Sequence, residues 1–432
     1  MARLDDNPRR MLGQIFHFSS TTLVSSLIVL FQGIIALKLV EPSVYGVWSS
    51  VALILDYGIF FHLGLIHGME RAIPYFRGMN KDSEAHKISE TVKYNLILLI
   101  IAGAIITLAV ACLFGDAWRN ELRIGIASAI AASLLFLGTQ YYIALMKVTQ
   151  RFKQVGYVQL VQAAAMLACL VLIWRWKFYG FCMRAIISAA LGLCFAAGLA
   201  KDENRARFDW KTTRYLIKTG VPLMFISAVC IVLFSFDRLI ILGFLGTTMV
   251  GYYGICMALL RMVNLFQTVV GQVYSPVMSN VYGATHSPSS LLTYVVKSSL
   301  ISFLMTLAAS VVLYFFIPYF VMRFLPKYAY GIAAAKISLL TGLLISLMVG
   351  PSWFLQTIMR QMEQFVVMAM TSVAMVAVSI YLLARGYDLT GVTWGFAVGY
   401  ALNLAGLWVY VYIFCRREKN KRVHNIHETY AS

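Results

Sequence analysis

The sequence predicts an all-α polytopic membrane protein with 12 transmembrane helices, arranged as two pseudo-symmetric six-helix lobes around a central cavity. Three observations support this prediction: an apolar composition, a series of long apolar stretches and an internal repeat. Of 432 residues, 60% are hydrophobic and 12% are charged, with a mean hydropathy of +0.76. Soluble proteins carry about 25% charged residues. The composition therefore excludes a disordered chain, a secreted disulfide scaffold and an ordinary cytosolic enzyme.

A helix needs about 20 apolar residues to cross a bilayer, and twelve stretches of the chain meet this length. The stretches are too long for barrel strands and show no strict alternation. In chain order, the predicted spans are 11–37, 45–68, 89–114, 121–146, 154–174, 180–200, 218–245, 250–277, 291–317, 331–355, 365–385 and 391–415.

The charged connections predict both the domain boundaries and the orientation. We expect an N-terminal lobe at 1–200, a cytoplasmic linker at 201–217, a C-terminal lobe at 218–415 and a basic tail at 416–432. When the helix ends that flank each connection are included, the segments on the side of the two termini carry 24 Lys and Arg residues. Those on the opposite side carry 10. The positive-inside rule then places both termini in the cytoplasm. The net charge of +18 reflects this bias, so it does not indicate a nucleic-acid partner.

The two halves repeat each other at a constant offset of 205 residues. Residues 31–48 read FQGIIALKLVEPSVYGVW, residues 236–253 read FDRLIILGFLGTTMVGYY, and Gly78 corresponds to Gly283. Because each half has an even number of spans, the repeat is parallel, about an axis along the membrane normal. Two lobes of this kind enclose a cleft of the type in which transporters place their substrate.

Polar residues follow one side of the second and the eighth span. At 100° per residue, Asp56, His67, Glu70 and Arg71 share one side of the second span. A narrower stripe on the eighth span consists of Arg261, Asn264, Thr268, Gln272 and Ser275. The offset matches Asp56 with Arg261 and His67 with Gln272. Ionisable groups at membrane depth indicate function, and we interpret the stripes as lining a hydrated cavity. The alternative is a pair of buried polar contacts that hold helices together.

Further candidates lie on the first and seventh spans. Asp237 and Arg238 are neighbours on the seventh span, and Asp237 either neutralises Arg238 through a third group or takes up a proton. The first span has a polar face that consists of Gln14, Thr21, Ser25 and Gln32. Lys38 lies at the outer end of this span, and it either extends to the membrane interface or contacts substrate. Among the 36 Lys and Arg residues, we expect only Arg238 and Arg261 to lie deep in the membrane.

Several kinds of chemistry are not predicted. The sequence contains no GxxxxGK[ST] phosphate loop, no HExxH and no GxSxG element. The seven cysteines show no CxxC or zinc-ligand spacing, which indicates packing residues. We therefore expect no catalytic residue, no metal and no cofactor. The GxxxG segments at Gly64–Gly68 and Gly395–Gly399 indicate close helix packing.

Three segments of the chain resemble a known family. They read LVEPSVYGVWSSVALI, HLGLIHGMERAI and GVPLMFISAVCIVLFSFDRLIILGFLGTTMVGYYGICMALLRMVN. In this order, they resemble the first loop and second helix, the stretch that follows, and the seventh and eighth helices of polysaccharide flippases (O-antigen or capsule repeat-unit, Wzx-type) of the multidrug/oligosaccharidyl-lipid/polysaccharide exporter superfamily. Arg71 and Arg238 match family arginines. His62 occupies a position that is acidic in the family, so the role of that acid does not carry over.

The resemblance implies a flippase that exports an undecaprenyl-pyrophosphate-linked oligosaccharide across the bacterial cytoplasmic membrane by alternating access. The implied partners are this lipid-linked sugar, membrane lipid, a proton or sodium ion and the glycan polymerase machinery. Forked guanidinium groups suit a pyrophosphate. The expected substrate-binding residues are Arg238, Arg261, Arg71, Gln272, Asn264 and Lys38, and the expected coupling residues are Asp56, Asp237, His67 and Glu70. The alternatives are a cation-coupled multidrug exporter, a glycan polymerase or ligase, and a scaffold protein.

Overall fold

The computed structural model describes residues 8–113, 120–200, 205–285 and 287–431 of the chain. Within these residues, twelve helical stretches are long and apolar enough to cross a membrane. Each overlaps one of the twelve spans expected from the sequence, so the prediction of an all-helical multi-pass membrane protein is confirmed. Two compact units are present, a first unit at Met1–Ser235 and a second unit at Phe236–Ser432.

The first unit contains ten α-helices and one 3₁₀ turn among its described residues. They are α1 (Pro8–Leu39), α2 (Pro42–Val51), α3 (Leu53–Gly58), the 3₁₀ turn Ile59–His62, α4 (Leu65–Gly78), α5 (Asp82–Leu113), α6 (Asn120–Val148), α7 (Phe152–Ala168), α8 (Leu170–Trp176), α9 (Phe178–Ala200) and α10 (Trp210–Phe234).

The second unit contains seven α-helices and two 3₁₀ turns among its described residues. They are α11 (Phe236–Leu245), α12 (Thr247–Thr285), the turn Pro288–Leu291, α13 (Leu292–Phe324), the turn Pro326–Gly331, α14 (Ile332–Leu347), α15 (Val349–Thr357), α16 (Gln361–Ala384) and α17 (Leu389–Ala431).

The second span is interrupted, in contrast to the continuous helix expected over 45–68. Leu63 and Gly64 have φ angles of 48° and 81°, and these left-handed residues separate the 3₁₀ turn from α4. Glycine adopts this conformation without strain. In the repeat, the 205-residue offset makes Val269 the counterpart of Gly64. A β-branched residue at positive φ is a conformational outlier. The eighth span accordingly runs through this position as the unbroken helix α12.

Close packing of α4 against α10 extends the first unit as far as Ser235. A Cβ atom on Gly68 would lie 2.7 Å from the Leu216 carbonyl oxygen, and one on Gly220 would overlap the Gly64 carbonyl oxygen. The Leu216 side chain is fully buried in a core shared by α4, α5 and α6. The first unit therefore includes α10, whose first residues were expected in the linker at 201–217 and whose remainder was expected in the lobe that begins at 218.

The second unit has its own core and its own glycine contact. Its core contains Val295 of α13, Phe354 of α15 and Leu407 of α17. Gly395 and Gly399 of α17 lie against Ser379 and Met375 of α16, at distances that leave no room for a Cβ atom. Both GxxxG segments thus mark close helix contacts, as expected from the sequence.

Candidate functional site

An exposed polar stripe runs along α12 in the second unit. Arg261, Asn264 and Thr268 are exposed, and Gln272 is half-buried. The stripe, including Ser275, occupies about 80° of the helix circumference at 100° per residue. Val263, on another side of α12, is fully buried. The unit's own core therefore leaves these hydrogen-bonding groups at the surface, where a ligand can reach them.

Within this stripe, Arg261 is the group best suited to an anion. Its side chain is exposed, and no ion pair with another described side chain of the second unit involves it. The neighbouring Asn264 supplies a side-chain amide, while Thr268 donates its hydroxyl to the Asn264 carbonyl oxygen at 2.9 Å. A guanidinium beside an amide can bind a phosphate together with sugar hydroxyls.

Asp237 and Arg238 lie in the first turn of α11, and both are half-buried. The Asp237 carboxylate accepts a hydrogen bond from the Arg238 backbone N–H at 2.7 Å and another from the Tyr253 hydroxyl at 2.8 Å. Tyr253 is 2% exposed and lies on α12. Asp237 thus joins α11 to α12, and Tyr253 is a partner that the sequence did not reveal.

The break in the second span changes the polar side expected there. Because Leu63 and Gly64 interrupt the helix, the prediction that Asp56 shares one continuous helical face with His67, Glu70 and Arg71 is wrong. The last three residues lie together on α4, and Asp56 is exposed on the separate helix α3.

A cluster of ionisable groups forms at the break. His62 is 1% exposed, and its Nδ1 accepts a hydrogen bond from the Gly64 backbone N–H at 2.9 Å. Its ring packs edge-on against His67 with centroids 5.0 Å apart. The Glu70 carboxylate lies 3.6 Å from His67 Nδ1 and 3.7 Å from Lys147 Nζ. Histidine, carboxylate and ammonium groups therefore follow one another along this part of the first unit.

The environment of Glu70 favours its charged form. Burial alone raises the pKa of Glu70, but the hydrogen bond with His67 and the charge of Lys147 together bring that pKa below its ordinary value. Glu70 lies in α4, beyond the membrane-spanning stretch that ends at His62. The carboxylate is therefore negative at neutral pH and can hold a proton-bearing partner.

Lys38 and Arg71, two further expected substrate residues, are both exposed. Lys38 is exposed in the last turn of α1, and Arg71 is exposed on α4. Arg71 shares its helix with His67 and Glu70, but no ion pair involves it among the described residues. The structure therefore gathers the expected residues into an α11–α12 group and an α4 group, with Lys38 and Asp56 outside both.

The polar face of α1 is buried within the first unit. Gln32 is 4% exposed, and its Oε1 accepts a hydrogen bond from Arg184 Nη1 at 2.5 Å. Thr22 of α1 similarly donates to Gln159 of α7 at 2.9 Å. Gln14 lies outside the described side chains. These contacts hold helices of one unit together.

Arg184 is a further arginine inside a candidate membrane-spanning stretch. It is the seventh residue of the span Phe178–Ala200, about 9 Å from the start of the helix at 1.5 Å per residue. Its guanidinium packs over the Phe181 ring at 5.0 Å. The position of Arg184 inside a predicted span could have indicated this contact from the sequence. The contacts of Lys147 and Tyr253 could not have been predicted in this way, because their partners are distant in sequence.

Residues 34–325 match the family described as "Polysaccharide biosynthesis protein", and this match covers well over half of the chain. The chain belongs to the polysaccharide biosynthesis protein family. A search of the curated proteins finds no relative that matches it. The resemblance noted from the sequence is therefore confirmed at the level of the family.

Several solved structures have a fold similar to that of this chain. An inward-facing multidrug resistance MATE family transporter of the MOP superfamily superposes with a TM-score of 0.77 at 14% identity, covering 92% of this chain and 96% of the other. The lipid II flippase MurJ, in an inward closed conformation, gives 0.71 at 13% identity, with coverages of 91% and 87%. A eukaryotic MATE transporter gives 0.66 at 14%, with coverages of 96% and 99%. At these identities the likeness shows the fold alone.

The described residues show no sign of a metal centre. No group of three or more His, Cys, Asp or Glu side chains among them is arranged to hold a metal ion. The α11–α12 group contains guanidinium, amide and hydroxyl groups, and the α4 group contains imidazole, carboxylate and guanidinium groups.

Proposed function

We propose that this protein is a flippase that moves an undecaprenyl-pyrophosphate-linked oligosaccharide repeat unit across the bacterial inner membrane by alternating access. The repeat unit would serve O-antigen, capsule or exopolysaccharide synthesis. Membership of a polysaccharide biosynthesis family and a fold shared with a lipid II flippase support the proposal. The charge bias of the connections supports cytoplasmic termini.

The observation that carries the proposal is the exposed polar stripe on the membrane-spanning helix α12. A charged arginine in a membrane span is costly unless it faces a partner or a hydrated cavity. A pyrophosphate offers such a partner, since it carries concentrated negative charge and several acceptor oxygens. Arg261 would bind the pyrophosphate, and Asn264 and Gln272 would hydrogen-bond to the sugar.

The remaining expected residues take supporting roles in this proposal. Arg238 would share the pyrophosphate, held in place because Asp237 is bound to Tyr253 of α12. Arg71 would meet the substrate at the cytoplasmic end, and Lys38 would meet it near the opposite face.

We propose that a proton gradient drives the cycle through the α4 group. His67 and Glu70 lie 3.6 Å apart, so a proton taken up by this pair would change the charge beside the broken span. Asp56 and Asp237 are the other candidate acceptors. A sodium ion remains the alternative coupling ion.

The test is deletion of the gene, followed by mass spectrometry of the lipid-linked oligosaccharides in each membrane leaflet. A flippase predicts that a complete repeat unit accumulates on its carrier at the inner face, and the mass identifies the sugar. Accumulation of flipped but unpolymerised units would indicate a polymerase. An unchanged lipid-linked pool together with increased drug sensitivity would indicate a multidrug exporter.

A further inference from the structure

The first unit carries an apolar groove that the proposed transport cycle does not use. It lies between α5 and α6, has a volume of about 390 Å³ and is bounded by the break in the second span. Phe61 and Leu63 contribute from the break, Ala102 from α5 and Ala127 from α6. Nearly all the lining side chains are apolar, so a water-soluble ligand would gain nothing there.

The position of the groove identifies hydrocarbon as its occupant. Both walls belong to membrane-spanning stretches, at Asp82–Ala109 and Glu121–Val148. Along α5, the side chains of Ile101, Ile105 and Ile106 are between 55% and 62% exposed, although they are apolar. An apolar surface of this kind faces lipid tails. If the groove beside it were empty, its lining side chains would lose dispersion contacts, and a bound acyl chain would restore them.

Arg123 supplies the complementary charge for a lipid headgroup. It lines the groove in the first turn of α6 and is half-buried. From Arg123 to Leu134, also in the lining, α6 rises about 16 Å at 1.5 Å per residue. Half of a hydrocarbon core is about 15 Å thick. The groove therefore spans one leaflet, from headgroup depth to the bilayer centre.

We propose that this groove binds one acyl chain of a membrane phospholipid, whose phosphate pairs with the Arg123 guanidinium. Because Phe61 and Leu63 belong to the break, the bound chain packs directly against the interrupted form of the second span. Lipid occupancy thus stabilises that form. The inference concerns a resident lipid and does not depend on the identity of the transported cargo.

The experiment is native mass spectrometry of the full-length protein, released from micelles containing equal amounts of phosphatidylglycerol and undecaprenyl phosphate. We expect wild-type protein to retain phosphatidylglycerol. Arg123→Ala should weaken retention about tenfold or more, because a charge-assisted hydrogen bond is lost. Ala127→Phe should abolish retention by filling the groove.

Two variants outside the groove serve as matched controls. Arg175→Ala removes an exposed arginine at the end of α8, and Val171→Phe enlarges a 66% exposed apolar side chain of the same helix. Both should retain lipid as wild type does. If Ala127→Phe fails to fold, Ala102→Phe fills the groove from the opposite wall. The proposal would be overturned if Arg123→Ala and a folded groove-filling variant retained phosphatidylglycerol as well as the wild type does. Preferential retention of undecaprenyl phosphate by the wild type would also overturn it.

Discussion

At the scale of single residues, two arginines in membrane-spanning stretches differ in their surroundings. Arg261 projects from an apolar span without a described ion pair in its own unit, whereas Arg184 is tied to Gln32 and Phe181. The two arginines have the same chemistry, but only one is satisfied by its neighbours. An unsatisfied charge on an exposed face is the better candidate for ligand binding.

Replacement of Arg261 tests this difference directly. Arg261→Ala should reduce flipping at least tenfold if Arg261 has the role proposed above, because a charge-assisted contact with a pyrophosphate would contribute about 1.5–3 kcal/mol. Arg261→Lys should retain part of the activity, since it keeps the charge but loses the fork. The measurement is the rate at which a fluorescent lipid-linked oligosaccharide crosses proteoliposome membranes. Arg385→Ala, an exposed loop arginine, is the control, and wild-type flipping by Arg261→Ala would refute the role.

Gly64 permits two things at once, a positive φ and a close helix approach. Its φ is 81°, and a Cβ atom would lie 2.5 Å from the Val221 backbone nitrogen. Gly64→Ala should therefore lower the free energy of unfolding by about 2–4 kcal/mol, the sum of backbone strain and overpacking.

Thermal unfolding of the detergent-purified Gly64→Ala variant checks this prediction. Gly33 in α1 is the matched control, because its added Cβ would meet no atom within 4 Å. Gly33→Ala should be neutral or stabilising by up to about 1 kcal/mol. Equal melting temperatures for the two variants would mean that Gly64 needs neither its conformation nor its contact.

At the scale of the element, helix α10 begins at a cap that links it to α5. The Asp209 carboxylate accepts hydrogen bonds from the Thr212 backbone N–H at 2.9 Å and from the Thr212 hydroxyl, and it lies 3.1 Å from Lys87 Nζ. These hydrogen bonds, and then the Lys87 charge, lower the pKa of Asp209 from 3.8 to about 2. The start of α10 is therefore held by an ionised carboxylate.

The cap should respond to acid in a defined window. A carboxyl group with a lower pKa in the folded state stabilises that state above its unfolded pKa, here 3.8. That contribution decreases as pH falls from 3.8 to about 2 and is lost below. Hydrogen exchange at the first amides of α10 should accelerate in this range beyond the intrinsic pH effect. Asp209→Ala should remove the response, whereas Glu84→Ala, an exposed acid in the first turn of α5, should keep it.

At the scale of the whole molecule, we expect the topology to follow from the twelve candidate spans found among the described residues and from the asymmetric charge distribution. We predict that green fluorescent protein fused after Ser432 is fluorescent, because the C-terminus is expected in the cytoplasm. Alkaline phosphatase should be active when fused at Gly386, between α16 and α17, and inactive at the C-terminus. The reverse activities would show that the charge bias does not set the orientation.

The sequence alone determined the number of spans, the family and the stripe on α12, because each depends on local composition or on spacing along one helix. It also revealed both glycine contacts as GxxxG patterns. Tertiary structure decided the rest. The break at Leu63 and Gly64 separates Asp56 from the α4 group, and the α4–α10 contact ties the seventh span to the first unit. Lys147 and Tyr253 join Glu70 and Asp237 only because packing brings distant helices together, and that packing is not encoded in the spacing of any single segment.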